Sequence, residues 1–154
     1  MKIETRGMPA IDVVSDANIA LKWFHERDEH DVPSARALLS LHRERRVVLH
    51  VLDLTYYEVG NALMRGRADA NPEQTATVLT ALRTICLTIT PGDDDFALAA
   101  ELVAEHGLTV YDAAYAAVAR RRDAPLVTLD RQLIDTGLGM SPDQLLTRLT
   151  ATAG

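Results

Sequence analysis

Short runs of β-branched and aliphatic residues recur along the chain, each followed by a longer stretch with helical spacing, and this alternation restricts the fold more than any other feature. Residues 11–15 favour a strand apart from Asp12, and NIALKWF after Asp16 has helical spacing. Pro33 opens a second helix expected over 33–46, with Ala35, Leu38, Leu39 and Leu41 as its apolar face. A strand over 47–51 and a helix over 53–67 come next. Asn71 as cap and Pro72 at the first helical position start a helix reaching about residue 84. A strand over 86–90 ends at the turn Pro91-Gly92. The acids Asp93, Asp94 and Asp95 open a helix that Gly107 stops. An alanine-rich helix over 112–122, a strand over 126–128 and short helices near Arg131 and Pro142 complete the pattern. Strands alternating with helices imply right-handed crossovers, and hence an α/β fold of three layers, α/β/α, around a central, largely parallel sheet.

At 154 residues and 47% hydrophobic content, the chain has the size of one compact domain, expected over 11–150 with residues 1–10 as an N-terminal extension. The lone Cys86 has no partner for an intramolecular disulfide and suits the core of a protein in a reducing compartment. No segment approaches the ~20 apolar residues that span a bilayer, so a soluble, cytoplasmic protein without membrane contact is expected. The net charge of −6 argues against holding nucleic acid by charge alone. Arginines nonetheless cluster at Arg43, Arg45 and Arg46, at Arg65 and Arg67, and at Arg120 to Arg122, as phosphate contacts or as solvated helix ends. The histidines, at 25, 30, 42, 50 and 106, have no zinc-site spacing.

Four acids stand at the edges of apolar segments: Asp16 in IDVVSDANIALKWF, Glu58 in LTYYEVGNALMR, Asp112 in GLTVYDAAYAAVA and Asp130 in LVTLDRQL. In open parallel sheets the functional crevice lies beyond the carboxyl ends of the strands, where this reading puts Asp16 and Asp130. Asp112 begins a helix that can face the same crevice, and Glu58 lies about a turn into the helix after the second strand. Each has a plainer role available: the aspartates as helix caps, and Glu58 as half of a capping box with Thr55. If they converge, they repel by about 4 kcal/mol per pair at 4 Å and an effective dielectric near 20, which protons or cations must relieve. Two divalent ions would neutralise four carboxylates, and oxygen donors alone favour Mg²⁺ or Mn²⁺ over zinc. Asn18, Asn61, Tyr115 and Thr128 are candidates to orient these acids, with Arg65 on the same helical face as Glu58 and Asn61.

The order and spacing of VVSDANIALKWF, YYEVGNALMR, GLTVYDAAYAAVA and VTLDRQL resemble the PIN-domain ribonucleases, specifically the VapC toxins of VapBC toxin–antitoxin pairs, over about residues 11–149. The resemblance implies Asp16, Glu58, Asp112 and Asp130 as catalytic, metal-holding acids, with Asn18 as the small polar residue after the first. It further implies a Mg²⁺- or Mn²⁺-dependent endoribonuclease acting on RNA, inhibited by a cognate VapB-like antitoxin and acting as a homodimer. A basic antitoxin side chain competing for the acidic crevice fits that picture. One departure precedes Glu58, where the family often has proline and this chain reads Val51-Leu52-Asp53. The rival readings are a non-catalytic PIN-like binding module and a Mg²⁺-dependent phosphatase. A haloacid-dehalogenase-type phosphatase would need an aspartate at Asn18, and a response-regulator receiver a late lysine, whereas none follows Lys22.

Overall fold

The computed structural model describes residues 9–24, 30–66 and 69–152; the expectations for residues 1–8, His25 and Arg67 lie outside them. Four parallel strands form the sheet in the order β3-β2-β1-β4: β1 (Ile11–Ser15), β2 (Val47–Leu52), β3 (Leu87–Ile89) and β4 (Leu126–Val127). The side-chain period of two splits the strands between two cores. Val13, Val47, Leu49, Val51 and Val127 face one cluster, while Val14, Leu52 and Leu126 face the other. The first cluster is closed by α1 (Ala17–Phe24), α2 (Val32–Arg43), α3 (Asp53–Arg65), α4 (Pro72–Ile85) and α8 (Pro142–Thr152). The second is closed by α5 (Asp93–His106), α6 (Val110–Arg121) and α7 (Arg131–Asp135). The result is the three-layer α/β/α arrangement expected from the alternation.

Local chemistry explains the element ends. Glu44 follows α2 and Arg45 turns left-handed at φ 60°, so that Arg45 N–H returns to the His42 carbonyl at 3.1 Å and Arg46 N–H to Leu41 at 2.9 Å. That is a Schellman termination with arginine where glycine is usual, which is why the helix expected to reach residue 46 ends at Arg43. Helix α6 begins two residues earlier than expected, because the Thr109 side chain accepts the Asp112 N–H at 3.1 Å and caps the helix. Every residue of α6 from 113 to 119 is buried. Its alanines let the helix lie close to both α5 and the sheet. At the C-terminus, α8 runs for 11 residues and is longer than the short helix expected there.

From β1 the sheet grows to β2 on one side and receives β4 on the other, so the strand order reverses between β1 and β4. The carboxyl ends of these two strands flank the switch point, the position where open α/β sheets form their crevice.

Candidate active site

Asp16 follows β1 and is 4% exposed. Its N–H donates to the Val127 carbonyl at 3.0 Å, which sews the end of β1 to β4. Oδ1 accepts the Ala17 N–H at 2.7 Å, and Oδ2 accepts the Thr128 hydroxyl at 2.8 Å and the Asn18 amide at 3.4 Å. Asn18 also accepts the Leu129 N–H at 3.2 Å, and the Thr128 oxygen takes the Asp130 N–H at 3.0 Å. Asn18 and Thr128, two of the residues expected to orient the acids, thus bridge the ends of β1 and β4. Gly139 stands behind this clamp: a Cβ built there would lie 2.7 Å from the Thr128 methyl and 3.3 Å from the Leu126 carbonyl.

Burial is the largest cause of a raised Asp16 pKa, about 6 against 3.8. The Thr128 and Ala17 hydrogen bonds oppose it, and the charges of Asp112 and Asp130 add to it. Glu58 is pushed up to about 7 by burial first, against its bond from Tyr115, with Asp16 and Asp112 adding repulsion. Asp112 is raised by burial and then by Asp130, while Thr109 opposes the shift. The four carboxylates therefore share one electrostatic neighbourhood, and among the described residues no lysine or arginine lowers Asp16, Glu58 or Asp112.

The plainer roles separate cleanly. Asp130 does cap α7, its Oδ1 accepting the Gln132 and Leu133 N–H groups at 2.8 and 3.3 Å. Asp112 leaves its helix start to Thr109. The capping box between Thr55 and Glu58 does not form: α3 begins at Asp53, which places Thr55 third in the helix, where it accepts the Leu52 N–H at 3.0 Å. Glu58 instead accepts the Tyr115 hydroxyl at 2.9 Å, and Tyr115 and Thr55 meet at 2.6 Å. Thr55 is a neighbour of the acids that the sequence reading missed as such, because its partner Tyr115 lies 60 residues away. Asn61 makes no hydrogen bond to the acids; it lines a groove of about 670 Å³ between α3 and α4 with Tyr57, Met64 and Leu79.

The arginine clusters, read as phosphate contacts or as solvated helix ends, are placed as follows. Arg43, Arg45 and Arg46 border the amino end of β2, the opposite edge of the sheet from the carboxylates. Arg121 and Arg122 hold the buried Asp95 at 3.0 and 3.1 Å, and with the Gly92 N–H they keep its pKa low despite burial. Arg65 is exposed at the end of α3.

Among the described residues, no three His, Cys, Asp or Glu side chains already form a metal cage. The donor chemistry nevertheless fits a hard cation: oxygen only, partly buried, mutually repelling and, among the described residues, uncompensated by lysine or arginine. Uncompensated carboxylates stand apart, so a cation would have to draw them in. Asp16, Glu58 and Asp112, with Asp130 beside them, are the residues that would hold it. No helix among the described residues is long and apolar enough to cross a membrane.

Comparison with known proteins agrees with this fold. The chain is 39% identical over 117 residues to Exonuclease VapC9 of Pyrobaculum aerophilum, covering 71% of this chain and 81% of that one. It is 38% identical over 95 residues to Ribonuclease VapC3 of the same organism, covering 56% and 70%. A toxin–antitoxin complex from Klebsiella pneumoniae contains a chain of the same fold, with a TM-score of 0.65 and 19% identity over 84% of this chain and 97% of that one. The PIN domain family model matches residues 13–138, from the buried heart of β1 to just past α7 and through all four acidic segments. By that match and by the relatives it resembles, the chain belongs to the PIN domain family.

Proposed function

We propose that the protein is a Mg²⁺- or Mn²⁺-dependent endoribonuclease, the toxin of a toxin–antitoxin pair, which acts as a homodimer and is neutralised by a VapB-like antitoxin. One observation carries the reading: in a PIN-family chain, Asp16, Glu58 and Asp112 have raised pKa values at the sheet's switch point, with Asp130 adding to the shifts of Asp16 and Asp112 and no lysine or arginine among the described residues relieving the three. The names of the relatives support a nuclease, and Ribonuclease VapC3 supports RNA as substrate. The neighbouring toxin–antitoxin complex supports a protein inhibitor.

A bound Mg²⁺ or Mn²⁺ would make an attacking water more acidic and stabilise charge developing on the phosphate and the leaving oxygen. The chain's own residues hold and aim. Asp16 is fixed by Thr128, Asn18 and the Ala17 N–H, so one metal-holding oxygen pair is set before substrate arrives. Asp112 and Glu58 come from two helices joined through Tyr115. Asp130, anchored by its cap to α7, adds negative charge at the rim. An antitoxin arginine entering this crevice would offset the same charge and compete with the cation.

Circular single-stranded RNA tests the reading, because only an endonuclease can open it. Cleavage is expected with MnCl₂ and not with EDTA, and Asp16→Asn should be inactive. Cleavage that survives EDTA, or an active Asp16→Asn, would overturn the proposal. Degradation of linear but not circular RNA would convert it to an exonuclease.

A further inference from the structure

We infer that Thr55 is a positioning residue for the acidic site, acting through a one-way hydrogen-bond relay from Leu52 N–H to Thr55, from Thr55 to Tyr115 and from Tyr115 to Glu58. The inference rests on the reading of Glu58 as a residue that holds a cation.

The direction of the relay follows from counting protons. The Leu52 N–H can only donate, so the Thr55 oxygen accepts it at 3.0 Å. A carboxylate that holds a cation is ionised and can only accept, so the single Tyr115 proton goes to Glu58 Oε1 at 2.9 Å. Tyr115 is then an acceptor for the contact at 2.6 Å, and the proton there belongs to Thr55. Each hydroxyl makes one donation and one acceptance. Thr55 and Tyr115 are both 0% exposed, so no water is available to replace a missing partner.

A purely local helix role for Thr55 accounts for the Leu52 bond and nothing more. Several other helical threonine hydroxyls, those of Thr77, Thr84 and Thr150, return their proton to the carbonyl four residues back. Thr55 donates across to another helix instead. The relay joins the end of β2 and the start of α3 to α6, which carries Asp112 three residues before Tyr115 on the same helical side. Two helices bearing mutually repelling acids are thereby clamped together. Immobilising a glutamate side chain costs up to about 2 kcal/mol of rotamer entropy, and the relay meets that cost during folding rather than at cation binding. With Oε1 held by Tyr115, Oε2 accepts no hydrogen bond from the described residues.

The experiment is calorimetric titration of MnCl₂ into the RNA-free, EDTA-stripped protein, with circular dichroism confirming the fold of each variant. Tyr115→Phe and Thr55→Val should each weaken Mn²⁺ binding by about 10-fold, the lower end of what loss of a ligand-orienting partner costs. Thr55→Ser keeps the hydroxyl and should bind as the parent does. Because both residues act through one chain, the double variant should be no weaker than Tyr115→Phe alone. Losses that add in the double variant, unaltered affinity in Tyr115→Phe, or a Thr55→Ser as weak as Thr55→Val would each overturn the relay. A parent that binds no Mn²⁺ would instead overturn the metal reading of the site, and the relay with it.

Discussion

Asp16→Asn should stabilise the metal-free protein above pH 7 and destabilise it near pH 4. Burial and its neighbours raise the Asp16 pKa from 3.8 to about 6. At about 1.36 kcal/mol per pH unit, holding this carboxylate ionised costs the fold about 3 kcal/mol. The folded state binds the proton more tightly than the unfolded chain does, so stability is highest below pH 4 and is lost as pH rises through 6. An amide removes that dependence but spoils the local bonding. Its oxygen can keep the Ala17 N–H, whereas its NH₂ replaces an acceptor and faces the Asn18 amide and the Thr128 hydroxyl, at a cost of about 1–2 kcal/mol. The net change is a gain of about 1–2 kcal/mol at pH 8 and a loss of similar size at pH 4. Each kcal/mol shifts the melting temperature by about 2–4 °C in a chain of this size. Thermal unfolding of EDTA-treated parent and variant across this range is the assay. Curves separated by the same amount at every pH would refute the claim that a buried, strained carboxylate is maintained here.

Further outcomes follow from other parts of the structure. Mn²⁺ must displace protons from Asp16 and Glu58, so its affinity, read by titration calorimetry, should tighten as pH rises from 5.5 to 8. Gly139→Ala drives a Cβ to 2.7 Å from the Thr128 methyl and should lower RNA cleavage several-fold through a displaced Asp16 clamp, measured as kcat at saturating Mn²⁺. Asp95→Ala strands Arg121 and Arg122 away from the crevice, and should lower unfolding stability in urea by about 2 kcal/mol while leaving cleavage intact below the melting range. The lowered Asp95 pKa gives that contribution the opposite sign to Asp16: it is present above pH 4 and lost only as pH falls through the depressed value.

The layers of this fold were legible because parallel strands buried on both faces read as continuous apolar runs, and the helices between them carry their own period. The end of α2 was not, because an arginine occupies the left-handed cap that glycine normally announces. Asp16 and Asp130 could be placed from strand ends alone, since topology sends those ends to one crevice. Asp112 and Glu58 share that neighbourhood through facts no local pattern contains: Thr109 takes over capping, and Tyr115 reaches from α6 to α3. The arginine clusters stayed open between two readings for a related reason. Charge in sequence does not say which edge of a sheet it borders, and two of those arginines serve a buried aspartate 26 and 27 residues away.

The most direct test is an anomalous difference map from crystals of the protein grown or soaked with MnCl₂. A peak ligated by Asp16, with Glu58 or Asp112 completing the contact, is the predicted result. A fully soaked crystal whose only manganese lies elsewhere, with these carboxylates unmoved, would contradict the account.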